Sequence, residues 1–573
     1  MDRRALLKKA EASASTGGRG HRRQLIRKTL PWLIMLFAMG LATRAHLLSR
    51  VVPHDDAYIT FRYIDNLFAG KGLVYNDGEH IFGVSSPLYL LWLCFLKLIA
   101  PSASLPILAV RCNVTFFLLS AVAVYTTVLR WGEEVLLAAA AAALFCVNEA
   151  LLQYSLAGME SFMFAALTLW ALYAVSCEWY TGAALLSGLS CLARPEGVLV
   201  AATCAVAWLV HSRRNVVRYV LALCLPVLFW LVFAQTYFGT VVPHSIIAKA
   251  RPLYPLPRGA GLEQMVDQIT AWTFDDRLWK LRAIKPALAG LGAGVAILAV
   301  VGSGVLRGLK AWTAALLFAL FIAFYSVTNA RVVDWYLPVI YAVWFILLTV
   351  GSPLAATWLT KRWFSRPVGT HWMAGLRYVP LALVLACGTG DGVTRAFATT
   401  WILEASAVRL RVDGYERAAR WMNDHFSQDV TVAAPEIGAL GYYWNGRVLD
   451  ACGLVSPEAL PFLPVPADQR DSPIDGPISR DLVEQLRPQV VVTLYVFAKR
   501  SLLPSRWFHA AYELVHSEPL PTPIWDSPDV LVYLRHAFLE LGEHLDHVRD
   551  DPAVVLSLES LADEQSMKPI RHA

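Results

Sequence analysis

Charge is scarce in this chain. Only 16% of its 573 residues are Asp, Glu, Lys or Arg, whereas 56% are hydrophobic and the mean hydropathy is +0.47. That shortage excludes an ordinary soluble protein and fits a polytopic membrane protein carrying some soluble mass. Cysteine is also sparse, at nine residues. Cys94, Cys112, Cys146, Cys177, Cys191 and Cys204 lie in or beside apolar runs and only Cys452 lies clearly in a soluble stretch, so no metal-like spacing and no structural disulfide are expected. A Walker-type loop, a dinucleotide fingerprint after a strand, a His-Glu-x-x-His and a Gly-x-Ser-x-Gly are all missing. Nucleotide-sugar, hydride and serine-hydrolase chemistry therefore have no anchor. The sequence also lacks an internal repeat and a long low-complexity segment.

What the chain does have is long apolar runs. At about 20 residues per crossing, the candidate spans are 30–48, 106–129, 134–150, 160–176, 180–193, 197–212, 217–237, 286–306, 310–328, 332–350 and 375–394. The run Pro87 to Ala100 is about 14 residues long, lies between two prolines and carries Lys97, which suits an interfacial helix better than a span. Leaving it out gives about 11 transmembrane helices. The clusters Arg130, Arg213/Arg214/Arg218, Arg307/Lys310 and Lys361/Arg362/Arg366 then share the cytoplasmic side with a basic tail, residues 1–29. The net charge of +6 reflects these loops and indicates orientation, with no nucleic-acid partner. The first span reads as a retained signal anchor. Twenty Trp and 21 Tyr suit interfacial belts.

This count predicts three parts: the tail 1–29, a membrane domain 30–394 with a first outer loop 49–105, and a soluble segment 395–573. In the last, 403–427 has the pattern of an amphipathic helix. Val430–Ala434, Arg447–Leu449, Pro488–Thr493 and Asp529–Tyr533 read as buried strands. The expected fold class is thus a polytopic α-helical membrane protein with a small C-terminal α/β domain outside the membrane.

The same count puts nearly every polar residue embedded in apolar sequence on one outer face. Asp55 and Asp56 open a segment with helical spacing (Tyr58, Phe61, Ile64, Phe68), and Arg62 follows Tyr58 by one turn. A helix cap accounts for one Asp better than for two. Two carboxylates at the mouth of an apolar bundle are costly to keep charged, which points to function. Gly158-Met159-Glu160 places a carboxylate at the start of a span, where the helix dipole alone would also favour it. Arg194-Pro195-Glu196-Gly197 is a tight polar hairpin whose Arg and Glu are able to pair. Pro243-His244-Ser245-Ile246-Ile247-Ala248-Lys249 supplies two cations, and Arg331 with Asp334, Trp335 and Tyr336 marks another outer helix end. Asp55, Asp56 and Glu160 are compatible with a shared divalent cation, although no cofactor is required.

Taken together, Asp55-Asp56, the run Asn66-Leu67-Phe68-Ala69-Gly70-Lys71-Gly72-Leu73-Val74-Tyr75-Asn76, Gly158-Met159-Glu160, Arg194-Pro195-Glu196-Gly197 and the His244–Lys249 segment resemble the C-type integral-membrane glycosyltransferases. Nearest in pattern is the polyprenyl-phosphate-dependent branch that includes mycobacterial terminal arabinofuranosyltransferases. The likeness runs through most of residues 30–455. It implies an enzyme of the bacterial inner membrane with its N-terminus in the cytoplasm and its C-terminal domain outside. The enzyme would move a sugar, arabinofuranose in that branch, from a polyprenyl-phosphate donor to a cell-envelope glycan or glycolipid, with inversion. Asp55 is implied as the general base and Asp56 as its support. Lys249, Arg194, Arg331 and His244 would meet the donor phosphate, and Tyr58, Arg62, Glu160, Glu196, Asp334 and Tyr336 would line the substrate site. His244 departs from the Asn common in the family. A transporter or flippase of a lipid-linked precursor is the alternative, but it usually carries repeated halves and midplane polar residues.

Overall fold

The computed structural model describes residues 29–47, 53–132, 134–250, 255–273, 311–329, 331–363, 407–472 and 476–539. Most of them are helical. Among the described residues, α1 (Thr29–Leu47), α4 (Leu105–Gly132) and α10 (Val216–Phe238) are long and apolar enough to cross a membrane. Shorter apolar helices are α3 (Pro87–Ile99), α5 (Val135–Val147), α7 (Ser161–Ser176), α8 (Tyr180–Ala193), α9 (Gly197–His211) and α13 (Trp312–Thr328). To these is added α14 (Pro338–Trp363). The expected spans 286–306 and 375–394, the N-terminal tail and the last 34 residues lie outside the described part.

A 16-residue helix such as α7 rises about 24 Å, against a hydrocarbon core of about 30 Å. A helix of that length falls short of the hydrocarbon core by about 6 Å and would cross it only with local thinning or flanking polar anchors. The expected span 134–150 is interrupted for a visible reason. Asn148 leaves α5 in an extended conformation, and its side chain accepts from Leu151 N to start α6 (Glu149–Ser155). Within the bundle α4 packs on α5 and α7, and α8 packs on α7, α9 and α10. A β-carbon at Gly188 of α8 would overlap the Leu223 carbonyl of α10, so the small residue is what lets these helices approach. The opposite side of α10 exposes Leu221, Leu225, Leu228, Phe229 and Val232, a face suited to lipid.

The C-terminal segment folds around five strands in the order β2-β1-β3-β5-β4. They are β1 (Val432–Ala434), β2 (Val448–Asp450), β3 (Val490–Leu494), β4 (Tyr512–Ile524) and β5 (Ser527–Arg535). The first three run parallel and are wholly buried, while β5 is antiparallel to β3 and β4 to β5. The amphipathic helix α15 (Ala407–His425) packs on β4 and β5. Four strands lie in or beside the expected runs. The 13-residue β4 was not expected, because it carries Pro519, Pro521 and Pro523. Proline cannot donate to a ladder, but an edge strand has an unpaired side that tolerates it.

Sheet and membrane bundle are joined through the loop between α1 and α4, which contains α2 (Asp55–Phe68). The edge strand β2 is closed by one side chain. Asn76 Nδ2 donates to Val448 O at 2.9 Å while Val448 N donates to Asn76 Oδ1 at 3.0 Å, imitating a neighbouring strand. Glu79 pairs with Arg447 at 2.7 Å. Asn76 to Glu79 form the expected turn, with Gly78 at a φ of +74°.

Candidate active site

The N-terminus of α2 is not capped by a side chain. Instead Asp55, the first helical residue and only 3% exposed, turns its carboxylate onto the C-terminal segment. It accepts from Gly438 N at 3.1 Å and Ala439 N at 2.8 Å, so it caps the short helix α16 (Ala439–Tyr443) rather than its own. A β-carbon at Gly438 would overlap the Asp55 carbonyl, so glycine is required there by close approach. Burial pushes the Asp55 carboxyl above its ordinary range, against the Arg411 charge and the Ala439 amide. Asp56, one residue on, is half-buried, and among the described residues its carboxylate makes no hydrogen bond or ion pair.

Around this pair the fold collects three groups from distant sequence. Arg411 of α15 donates to Glu436 Oε1 at 2.6 Å, and both side chains are buried. Tyr415 lies one turn on from Arg411, fully enclosed. The His54 ring packs at a tilt against Trp335 with ring centroids 4.4 Å apart, and its amide donates to Ala157 O at 2.8 Å. Desolvation first, and then the Arg411 charge, hold the His54 imidazole down to about 3, so it is neutral at working pH.

A second charged cluster forms where two helix starts meet. Arg194 at the end of α8 donates to Glu160 at 2.6 Å and to Glu196 at 3.1 Å, and all three side chains are nearly buried. Glu196 is held below the carboxylate range despite burial, because Arg194 outweighs desolvation. The Arg194 guanidinium also lies 4.2 Å from the Tyr336 ring centroid. The loop bearing Glu160 is fixed by neighbours: Tyr89 Oη donates to Gly158 O at 2.8 Å, Asn113 Nδ2 donates to Met159 O at 2.8 Å, and Ser161 Oγ donates to Trp335 O at 2.6 Å. Gly158 has a φ of +68° and a β-carbon there would press on Pro53. Positive φ and close packing both demand glycine.

Lys249, at the end of α11 (His244–Ala250), connects the clusters. Its Nζ donates to Tyr336 Oη at 3.2 Å, and Tyr336 first, then Asp56, hold its ammonium well above the ordinary lysine range. Asp55, Asp56, Glu160, Arg194, Glu196, Lys249 and Tyr336, seven of the expected site residues, thus form one connected region. Others lie apart. Arg62, expected to line the substrate site, is buried, and its donors go to the carbonyls of Tyr75, Trp444, Gly446 and Gly441, so it ties α2 to the C-terminal segment. Tyr58 packs against Tyr442 and Tyr443. His244 is buried near Phe82, its Nε2 without a partner among the described residues and its imidazole pushed down by burial. Arg331 is half-buried just before the turn Asp334–Tyr336, and the Asp334 side chain lies outside what is described.

The carboxylate trio that was compatible with a shared cation does not gather as a metal site among the described residues. Asp55 is engaged with amides and Glu160 with Arg194, and no group of three or more metal-ligating side chains gathers among the described residues. The eight described cysteines are unpaired. His54, Arg411, Tyr415 and Glu436 escaped sequence reasoning. Only Glu436 had a signal, inside the run Ala434-Pro435-Glu436-Ile437-Gly438, whose glycine content marks close backbone approach.

Comparison with known proteins accords with this architecture. A domain of unknown function (DUF8728) matches residues 404–533. A terminal β-(1→2)-arabinofuranosyltransferase of Mycobacterium tuberculosis is 27% identical over 217 residues, so the match spans 34% of this chain and only 34% of that protein. The arabinofuranosyltransferase AftD from mycobacteria aligns at a TM-score of 0.44 and 14% identity, over 87% of this chain and 41% of AftD. ArnT from Cupriavidus metallidurans, solved bound to undecaprenyl phosphate, aligns at a TM-score of 0.51 and 12% identity, over 87% of this chain and 97% of ArnT. The chain therefore shares its fold with ArnT.

Proposed function

We propose that this chain is an inverting glycosyltransferase that moves a sugar from a polyprenyl-phosphate donor to a hydroxyl of a cell-envelope glycan or glycolipid. The observation that carries the reading is Asp56. It is a carboxylate without a hydrogen-bond partner among the described residues, electrostatically coupled to Lys249, in a chain with the ArnT fold. The undecaprenyl phosphate named with ArnT supports a lipid-phosphate donor here, and the arabinofuranosyltransferase match supports arabinofuranose as the sugar. A flippase is less well supported, since this fold is shared with transferases.

The resemblance made Asp55 the base, and we exchange the two roles. The Asp55 oxygens are occupied by two backbone amides, whereas Asp56 keeps its lone pairs for a substrate. In the reaction, Asp56 takes the proton as the acceptor O–H breaks, and the hydroxyl oxygen bonds to the anomeric carbon. The bond from that carbon to the phosphate oxygen breaks on the opposite face, and its electron pair leaves with the polyprenyl phosphate. Lys249 faces the charge that develops on this leaving group. Tyr336 steers the ammonium, and the Glu160–Arg194–Glu196 cluster holds Tyr336. The soluble segment 395–573 and the aspartates would lie on the outer face of the inner membrane, where a lipid-borne donor and a glycan acceptor meet.

The test uses purified full-length protein in nanodiscs, polyprenyl-phosphoryl arabinofuranose and an arabinan acceptor. Transfer by the wild type, with a loss of about 10²-fold or more in Asp56→Asn, is expected. Equal transfer by Asp56→Asn would refute the assignment, and no transfer by the wild type with any polyprenyl-phosphate sugar would refute the activity.

A further inference from the structure

We propose that Arg411 and Glu436 of the C-terminal segment are positioning residues for the Asp55–Asp56 pair, with the Glu436 carboxyl deciding how much of the Arg411 charge is left to the aspartates. This rests on the transferase reading for its kinetic consequence, but the electrostatic coupling is a property of the fold alone. The C-terminal segment is thereby a part of the active site and more than an appended module.

The argument begins with the placement of Glu436. It follows β1, two residues before Gly438, whose amide holds Asp55. Its Oε1 accepts from Arg411, and its Oε2 is buried short of a full hydrogen bond among the described residues, with the Tyr415 hydroxyl, itself unbonded there, as the donor that acts on it. A carboxylate oxygen left unpaired in the interior is costly, and a proton on it removes much of that cost. Arg411 Nε is likewise buried without a partner. The cation therefore has capacity beyond the single bond to Glu436, and the other carboxylates whose charge acts on it are Asp55 and Asp56.

The groups facing Glu436 come from three elements. Arg411 and Tyr415 lie on α15, and Asp55 and Asp56 begin α2 with His54 just before them. The Cys452 thiol follows β2 and donates to Pro435 O at 3.2 Å. Burial pushes the Glu436 carboxyl up to about 7. Arg411 and Tyr415 oppose this, and Asp55 and Asp56 reinforce it. Below that pH, neutral Glu436 leaves the Arg411 charge to the aspartates, which opposes proton uptake from the acceptor in the transfer step. Above it, the Glu436 carboxylate takes up Arg411 and adds a negative charge, which strengthens the base. His54 stays neutral through this range.

Two readouts test the inference. Infrared titration of the full-length protein should show a carboxylic-acid band, absent in Glu436→Gln, that disappears near pH 7. Asp56→Asn should move its midpoint down by roughly half a unit or more, since a negative neighbour is lost. In the transfer assay, the wild-type rate should rise through an inflection in the same range. Glu436→Gln should lose that inflection and Glu436→Asp should restore it at a shifted pH. A band indifferent to Asp56→Asn, or a Glu436→Gln profile identical to the wild type, overturns the proposal. If Glu436→Gln does not accumulate in membranes, an unshifted inflection in Glu436→Asp overturns it. Absence of transfer by every variant refutes the transferase reading alone, because the infrared coupling is read without substrate.

Discussion

Asp55 and Asp56 are adjacent, yet their substitution should have opposite signatures. The Asp55 carboxylate holds two buried amides, at 3.1 and 2.8 Å, across the junction of α2 and the C-terminal segment. A hydrogen bond to a charged group is worth about 1.5–3 kcal/mol, and an orphaned buried donor costs about 1–3 kcal/mol. Asp55→Ala removes both acceptors, so the junction should weaken by about 3–5 kcal/mol. Asp55→Asn keeps one oxygen for one amide and presents an NH2 to the other, so about 1–3 kcal/mol is expected. A chain of this size with a membrane bundle does not unfold in two states, so a single melting temperature is a poor measure. Hydrogen exchange reads the junction directly. At about 1.4 kcal/mol per tenfold, a 3 kcal/mol loss accelerates exchange of the 438–443 amides about a hundredfold, with little change in α4 or α7. Transfer by Asp55→Asn should fall less than by Asp56→Asn. Unchanged exchange at 438–443, together with transfer abolished as fully as in Asp56→Asn, would refute this division and return the base to Asp55.

Three further outcomes follow from the same geometry. Gly438→Ala, whose β-carbon would overlap the Asp55 carbonyl, should open the junction like Asp55→Ala, and exchange equal to the wild type would count against the close approach. Arg194→Met leaves Glu160 and Glu196 buried without their cation and should cost about 3–5 kcal/mol. Arg194→Lys should recover only part of this, since one ammonium replaces a guanidinium that reaches two carboxylates, and in-gel accumulation with limited proteolysis would separate the three proteins. A topology reporter fused at residue 400 should read outside the cytoplasm, and a cytoplasmic signal would reverse the placement of the catalytic face.

Composition made the membrane character legible, because lipid tolerates few charges and those retained stand out. Asp55, Asp56, Glu160, Arg194, Glu196 and Lys249 were found as polar residues interrupting apolar sequence, and the structure brings them into one region. Arg411 and Glu436 were hidden for the converse reason. In a soluble segment charge is ordinary, and nothing local marks the pair that folds against α2. Arg62 misled because a cation beside a carboxylate pair suggests a place in the substrate site, whereas its partners are carbonyls of residues 75, 441, 444 and 446. Strand β4 was missed because its prolines argue against a strand until its place at the sheet edge is known.

The sequence by itself determined the helical, apolar architecture, the short buried strands of the C-terminal segment and which polar residues interrupt apolar sequence. These follow from periodicity and composition, which are local. Which of two neighbouring aspartates keeps its lone pairs was decided only by tertiary structure. Consecutive residues at a helix start project about 100° apart, and one direction meets the amides of Gly438 and Ala439 while the other meets no hydrogen-bond partner among the described residues.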